Sequence, residues 1–183
     1  MEPAPLAPAE DSGVVLTTAR LALRRLVRDD AAFILGLLNE PAWLRFIGDK
    51  GVRTLDEARR YIATGPQAMY REHGFGLWLV ATHADAKPIG ICGLIKRPGL
   101  EDVDLGFAYR EEFQGQGFAR EAAAAALTYA KDVVGLQRIV ALTALDNERS
   151  IRLLAKLGFE FERMLRLKAD GPESRLFART LPG

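Results

Sequence analysis

The sequence has 183 residues and a single cysteine, Cys92, so no disulfide can join two parts of the chain. That scarcity suits a reducing compartment, and the expected location is cytoplasmic. Histidine is nearly as scarce. His73 and His83 fall apart in expected surface loops, and no Cys/His spacing suits a metal. No HExxH and no G-x-S-x-G is present, which leaves out zinc-peptidase and serine-hydrolase chemistry. The formal charge is +1, so nothing draws the whole molecule toward nucleic acid or an anionic membrane. No apolar stretch is long enough to cross a bilayer. The opening MEPAPLAPAEDSG lacks a basic start and an apolar core, so it is not read as a signal peptide. Residues 1–13 are expected to be a flexible leader and 14–183 a single domain, monomeric or homodimeric.

Hydrophobic periodicity organises the rest. TARLALRRLV alternates apolar and basic residues, so it reads as a strand. DDAAFILGLLNE reads as a helix capped by Asp29 or Asp30 and stopped by Pro41. In RTLDEARRYI, Thr54 and Glu57 have capping-box spacing, and Gly65-Pro66 should interrupt the helix that follows. FGLWLVAT, KPIGICGLIKR and VDLGFAYR form a meander with turns at HADAK and PGLED. FAREAAAAALTYAKDVVG is a helix closed by Gly135, QRIVALTAL a buried strand, and NERSIRLLAKLG a helix. A hairpin, FEFERMLRL with RLFARTL, ends the chain. The order β-α-α-β-β-β-α-β-α-β-β predicts an α/β (α+β) fold with seven strands in one mixed sheet and helices on both faces.

EFQGQGFARE places Gly115 and Gly117 at the mouth of the alanine-rich helix. Glycine inside an element costs roughly 0.5–1 kcal/mol relative to alanine, so the pair needs a reason. A helix N-terminus leaves unpaired N–H groups and a partial positive charge, and glycines let an anion approach them. A plain strand-to-helix turn explains the glycines equally well, and Glu121 in the first turn disfavours an anion. The third glycine of G-x-G-x-x-G is missing, and there is no Walker lysine.

QGQGFA also fits the Q/R-x-x-G-x-G/A signature of the GNAT (Gcn5-related) N-acetyltransferases, and NERSIRLLAKLGFE resembles the Asn-x-x-Ser/Ala…Lys-x-Gly-Phe segment of that superfamily. TARLALRRLVRDD and LNEPAWLRFIG resemble its branch of ribosomal-protein N-terminal acetyltransferases. The resemblance spans nearly the whole chain after the leader. It implies acetyl-coenzyme A as acetyl donor and a primary amine as acceptor, on a small molecule or a protein N-terminus. It implies a sheet split between the fourth and fifth of the seven expected strands. The donor's pyrophosphate would meet the loop from Gln114 through Gly115, Gln116, Gly117, Phe118 and Ala119 to Arg120. Its pantetheine arm would pair with the strand end Phe107, Ala108 and Tyr109, where Gly106 is expected to mark a bulge, and would meet Asn147 and Ser150.

Two departures from the family stand out. Many members carry a tyrosine as general acid at the position of Leu154, so Ser150, Tyr109 or water would have to serve. Some carry a glutamate in the fifth strand, but RIVALTAL has none. The candidate bases are then Asp104, Asp102, Glu101 and Asp170. Without a clear acid or base, a non-catalytic acyl-coenzyme A-binding protein is the alternative. Trp43, Arg45 and Phe46 are candidate walls for the acceptor. Cys92, in an apolar strand, reads as a small buried hydrophobe rather than a nucleophile.

Overall fold

The computed structural model describes residues 12–183. Most of the expected leader lies outside them. The strands are β1 (Val14–Thr17), β2 (Leu21–Arg24), β3 (Leu77–Thr82), β4 (Pro88–Ile95), β5 (Asp104–Tyr109), β6 (Arg138–Ala144), β7 (Glu160–Leu165) and β8 (Ser174–Thr180). The helices are α1 (Ala31–Leu38), α2 (Pro41–Phe46), α3 (Leu55–Thr64), α4 (Pro66–His73), α5 (Phe118–Asp132) and α6 (Glu148–Lys156).

The sheet has eight strands, not the expected seven, in the order β1-β2-β3-β4-β5-β6-β8-β7. The additional one is VVLT, too short and too close to the leader to stand out. A turn separates it from β2: Thr18 N–H donates to Leu21 O at 2.8 Å, and Leu21 N–H donates to Thr18 Oγ1 at 3.0 Å. Four helices precede the meander where two were expected. Pro41 does not end a helical region but opens α2, because proline's fixed φ and missing N–H suit the first helical position. Gly65-Pro66 does separate α3 from α4. Thr54 and Glu57 form the expected capping box, with Glu57 N–H on Thr54 Oγ1 at 3.2 Å and Thr54 N–H on Glu57 Oε2 at 3.1 Å. Asp30 stands at the start of α1 without capping it. Its carboxylate instead takes a fork of bonds from Arg24, at 2.9 and 2.8 Å, and ties β2 to α1.

Strand side chains alternate between two cores. Trp78 and Val80 face α5, whose Ala122, Ala123, Ala126 and Ala130 are fully buried. Four methyl side chains on one stripe let that helix lie close on the sheet. Leu79 and Ala81 face the other way, against Ile34, Leu37 and Leu38 of α1 and Ala58 and Ile62 of α3. Helices therefore cover both faces, as expected.

One junction differs from the rest. Every neighbouring pair is antiparallel except β5 with β6, which run parallel and pair at Asp104 with Val140. Val140 N–H donates to Val103 O at 3.0 Å, and beyond that point the two strands separate. This is the split expected between the fourth and fifth strands of the seven-strand count. Gly106 is not a bulge: the β4–β5 register runs regularly from Gly90 opposite Tyr109 to Ile95 opposite Asp104.

Among the glycines, Gly93 on β4 leaves the least room for a side chain. A Cβ there would stand 2.0 Å from Gly76 O and 3.0 Å from Leu77 Cα, and neither main-chain atom can swing away. Gly93→Ala is expected to destabilise the fold by about 3 kcal/mol through overpacking. Urea unfolding measures it, and a wild-type midpoint would show that the strands are not this close.

Candidate active site

The outer edges of β5 and β6 are occupied by antiparallel partners, β4 and β8, up to Tyr109 and Ala144. Their inner edges, past Asp104 and Val140, face each other unpaired across the split. The main-chain groups of Phe107 and the Tyr109 N–H point into the split, whereas Ala108 pairs with Ile91 of β4 and Tyr109 O accepts from Gln114. Side chains carry the same signature. Among the described residues, the buried side-chain polar atoms without a hydrogen-bond partner are Asp104 Oδ1, Tyr109 OH, Arg110 Nε and Thr143 Oγ1. All four belong to β5, the residue following it, or β6. Tyr109 OH points into the α5-side core beside Cys92, and the Arg110 guanidinium lies over Phe33 of α1, which leaves Asp104 Oδ1 and Thr143 Oγ1 on the pocket side of the seam. Buried polar atoms are ordinarily paired, so these two mark the seam out.

The glycine loop stands at the wide end of that seam. Gly115 (φ +77°) and Gly117 (φ +83°) both adopt the left-handed conformation that residues with a Cβ resist. Gly117 is the N-cap of α5, and no side chain caps the helix, so the first-turn amides of Phe118, Ala119 and Arg120 face outward. Gln114 ties the loop to both strands' surroundings: its Nε2 donates to Tyr109 O at 3.0 Å, and Arg149 on α6 donates to its Oε1. Gln116 donates back to Glu112 O at 3.0 Å.

Arg20, from the β1–β2 turn, clamps the loop. It donates to Gln116 O at 3.0 Å and to Glu121 Oε2 at 2.7 Å, and its guanidinium lies 4.3 Å from the Phe118 ring centre. Thr18 adds a bond to Glu121 Oε1 at 2.5 Å. Burial pushes the Glu121 carboxyl up, but the bonds from Thr18 and Arg20 outweigh it and hold the group below its ordinary range. The negative charge that argued against an anion here is thus already paired. Neither Arg20 nor Thr18 carried a sequence signal for this role, since each lies a hundred residues from Glu121.

At the end of β6, Asn147 caps α6 by accepting from Ser150 N–H at 3.3 Å. Only its oxygen is used, and the amide's NH2 end stays available to the seam. Ser150 is half-buried one turn into the helix. Leu154, where a tyrosine acid was sought, is fully buried in the α5-side core.

The four candidate bases separate cleanly. Glu101 and Asp170 are exposed, and Asp102 pairs with Arg138 at 3.0 Å. Asp104 alone is buried, at 1% exposure, with Oδ2 on Arg97 and Oδ1 without a partner. Burial pushes its carboxyl up to about 6 against the pull of Arg97. Arg97 belongs to a pocket of about 300 Å³, whose walls include Trp43, Phe46, Lys50, Tyr61, Leu77 and Leu142. Trp43 and Phe46 thus stand where an acceptor could bind. Arg45 does not line that pocket; it forms an exposed ion pair with Asp146 at 2.9 Å. A hollow of about 420 Å³ beside Lys131, Gly135 and Pro182 is larger, but it holds none of these groups.

Tyr109 and Cys92 lie together in the core against α5. Burial pushes the Cys92 thiol up to about 12, so thiolate is suppressed. Burial likewise raises the Tyr109 phenol well above its usual value, with Cys92 adding to the effect. No group of three or more His, Cys, Asp or Glu suited to a metal occurs among the described residues.

A family profile described as an acetyltransferase (GNAT) domain matches residues 20–160. The chain belongs to the GNAT acetyltransferase family. GNAT membership makes it an acetyl-coenzyme A-dependent acyltransferase. It is 30% identical to YoaA, an uncharacterized N-acetyltransferase of Bacillus subtilis (strain 168), over 83% of this chain and 86% of that one. The fold is also that of the Salmonella typhimurium acetyltransferase that modifies the N-terminal serine of ribosomal protein L7/L12 (TM-score 0.76, 18% identity, 93% and 100% of the two chains). Spermidine N-acetyltransferase from Vibrio cholerae, solved with coenzyme A and spermine, matches at TM-score 0.72 and 22% identity over 89% and 96%. At these identities the two structures share the GNAT fold with this chain and establish nothing about its acceptor. No helix among the described residues is long and apolar enough to cross a membrane.

A branched side chain at Gly117 would be strained by its φ and would crowd Arg20 Nη2, 3.3 Å from the added Cβ. Gly117→Val should weaken coenzyme A binding at least tenfold in calorimetry while circular dichroism stays native. Equal affinity in a folded variant would remove the loop from the donor site.

Proposed function

We propose that this chain moves an acetyl group from acetyl-coenzyme A to a primary amine by direct attack, with Asp104 as the base. The burial of Asp104 at the foot of the β5–β6 split carries the reading, because it puts a carboxylate oxygen without a side-chain partner beside the strand edge that would hold the donor.

Acetyl-coenzyme A supplies an activated thioester. The amides of Gly115 through Arg120 hold its diphosphate, and the open edge at Phe107 and Tyr109 completes a β-like ladder with its pantetheine amides. The Tyr109 N–H donates to the thioester oxygen as charge grows on it, since the Ala108 N–H faces β4. Asn147 offers its amide N–H to the same arm. The amine enters past Trp43 and Phe46. Asp104 Oδ1 accepts its surplus proton, through a water where the two do not touch. Carbon–nitrogen bond formation expels the thiolate, and Ser150, in the first turn of α6, relays a proton to it. With Leu154 in place of the usual acid, that last step contributes little, and orientation contributes most. The binding-only alternative leans on a missing acid and a missing base, and Asp104 as base answers the second of these.

If Asp104 is the base, it must be ionised to act, so kcat/KM should rise with pH through about 6 and level off above. Asp104→Asn is expected to lower kcat/KM by about 10²–10⁴-fold and to abolish that inflection. Unchanged kinetics would assign the base elsewhere. Cys92→Ala should keep turnover within a few-fold; a loss of two decades, with an acetylated wild-type cysteine trapped by mass spectrometry, would replace direct attack by an acetyl-enzyme.

A further inference from the structure

The pocket beside Asp104 is apolar over most of its wall, with Trp43, Phe46, Ile47, Leu77 and Leu94 among its residues. Its ionisable residues, apart from the Tyr61 phenol, are Lys50 and Arg97, and no aspartate or glutamate lines it. Arg97 spends one N–H on Asp104 Oδ2 and keeps the rest of its guanidinium for the pocket. Lys50 has no carboxylate partner among the described residues. Partial desolvation lowers its ammonium below the ordinary range although the residue remains exposed at the pocket mouth, and the charges acting on it, those of Arg97 and of Lys168 on the β7–β8 turn, are both positive. The pocket wall itself therefore carries two cations, Lys50 and Arg97, and no carboxylate, with Asp104 behind Arg97. Asp102 pairs with Arg138, and Asp146 with Arg45, so neither offsets the excess.

Cations held together in a half-enclosed place repel each other, and an anion between them relieves that repulsion through charge-assisted hydrogen bonds. A polyamine would add charge of the wrong sign to the same place. A volume near 300 Å³ is at the small end for ligand pockets, which suits a small molecule rather than a folded chain.

We infer that the acceptor is a small amine that also carries an anionic group, a carboxylate or a phosphate, which docks on Lys50 and Arg97 while its apolar part packs on Trp43 and Phe46. This rests on the transferase reading above and adds the acceptor's chemical class to it. The anion orients the amine, because Arg97 is bound to the same carboxylate that would receive the proton.

The test sets matched acceptors against one another with acetyl-coenzyme A, reading thiol release. L-Phenylalanine is compared with L-phenylalaninamide and phenethylamine, O-phosphoethanolamine with ethanolamine, and spermidine stands for polycations. Expected is a kcat/KM at least tenfold higher for the anionic member of a pair, with the two anionic amines telling carboxylate from phosphate. Lys50→Met should raise KM for the preferred anionic amine at least tenfold while coenzyme A affinity stays constant. Equal use of neutral partners, a preference for spermidine, or a Lys50→Met variant that keeps the selectivity would each overturn the inference. Calorimetry on the coenzyme A-loaded protein separates the two readings. If nothing is acetylated but the anionic amines bind at least tenfold tighter than their neutral partners, the pocket assignment stands and the transferase reading falls. If they bind no tighter, the pocket assignment falls.

Discussion

A β-strand cannot leave its amides and carbonyls unpaired in a protein interior without a cost comparable to the hydrogen bonds it forgoes. β5 and β6 break that rule together. They share a rung at Asp104 and Val140 and then separate, although each is fully paired on its far side. The rest of the site follows from this. A third strand-like partner must fill the gap, and it must be narrow, because both sheet halves are covered by helices. It must also end where α5 begins, because the glycine loop follows β5 directly. A linear molecule with amides along its length and a diphosphate at one end meets those demands.

The loop needs rigidity as well as bareness. Two left-handed glycines in succession would leave the α5 N-terminus loosely placed. Arg20 prevents that by holding Gln116 O and Glu121 at once, and its stacking on Phe118 adds a contact to the first helical residue. Glu121 then does for the loop what a capping side chain does elsewhere, without occupying the outward amides. A carboxylate that looked adverse to anion binding works as an internal tether, and the N-terminus keeps its positive character.

How much was legible in the sequence varied with the range of the interaction. Thr54 with Glu57, Gly65-Pro66, and Asn147 with Ser150 are contacts within a few residues, and their spacing announced them. The glycine loop was legible because its conformational demand is local too. β1 was not, since VVLT is four residues long and its partner and turn bonds come from further on. Pro41 was misjudged because a proline that ends one helix and a proline that opens the next look alike until the chain direction is known. Asp104 could be named but not singled out. What separates it from Asp102, two residues away and just outside β5, is burial: Asp102 pairs with Arg138 where both are partly exposed, while Asp104 lies beneath Arg97 at 1% exposure. Arg97 and Lys50 gave no signal at all, because a pocket assembled from α2, α3, β4 and β6 has no sequence pattern.

Strand alternation explains why the acceptor and the core do not compete for β5. Leu105, Phe107 and Tyr109 face α5 and pack. Asp104, Gly106 and Ala108 face the other layer, where Ala108 packs on its core, and along that side the residues shrink from carboxylate to nothing to methyl. The middle one matters most. A Cβ on Gly106 would come within 2.7 Å of Ile95 Cδ1, and Ile95 and Leu77, 3.2 Å from the same point, are both pocket walls. Any side chain there would drive those walls into the space beside Arg97. Gly106 is therefore bare for a reason unlike that of Gly115 and Gly117: its backbone is ordinary strand, and its missing side chain leaves Ile95 and Leu77 in place along the pocket wall beside Arg97 and the buried Asp104.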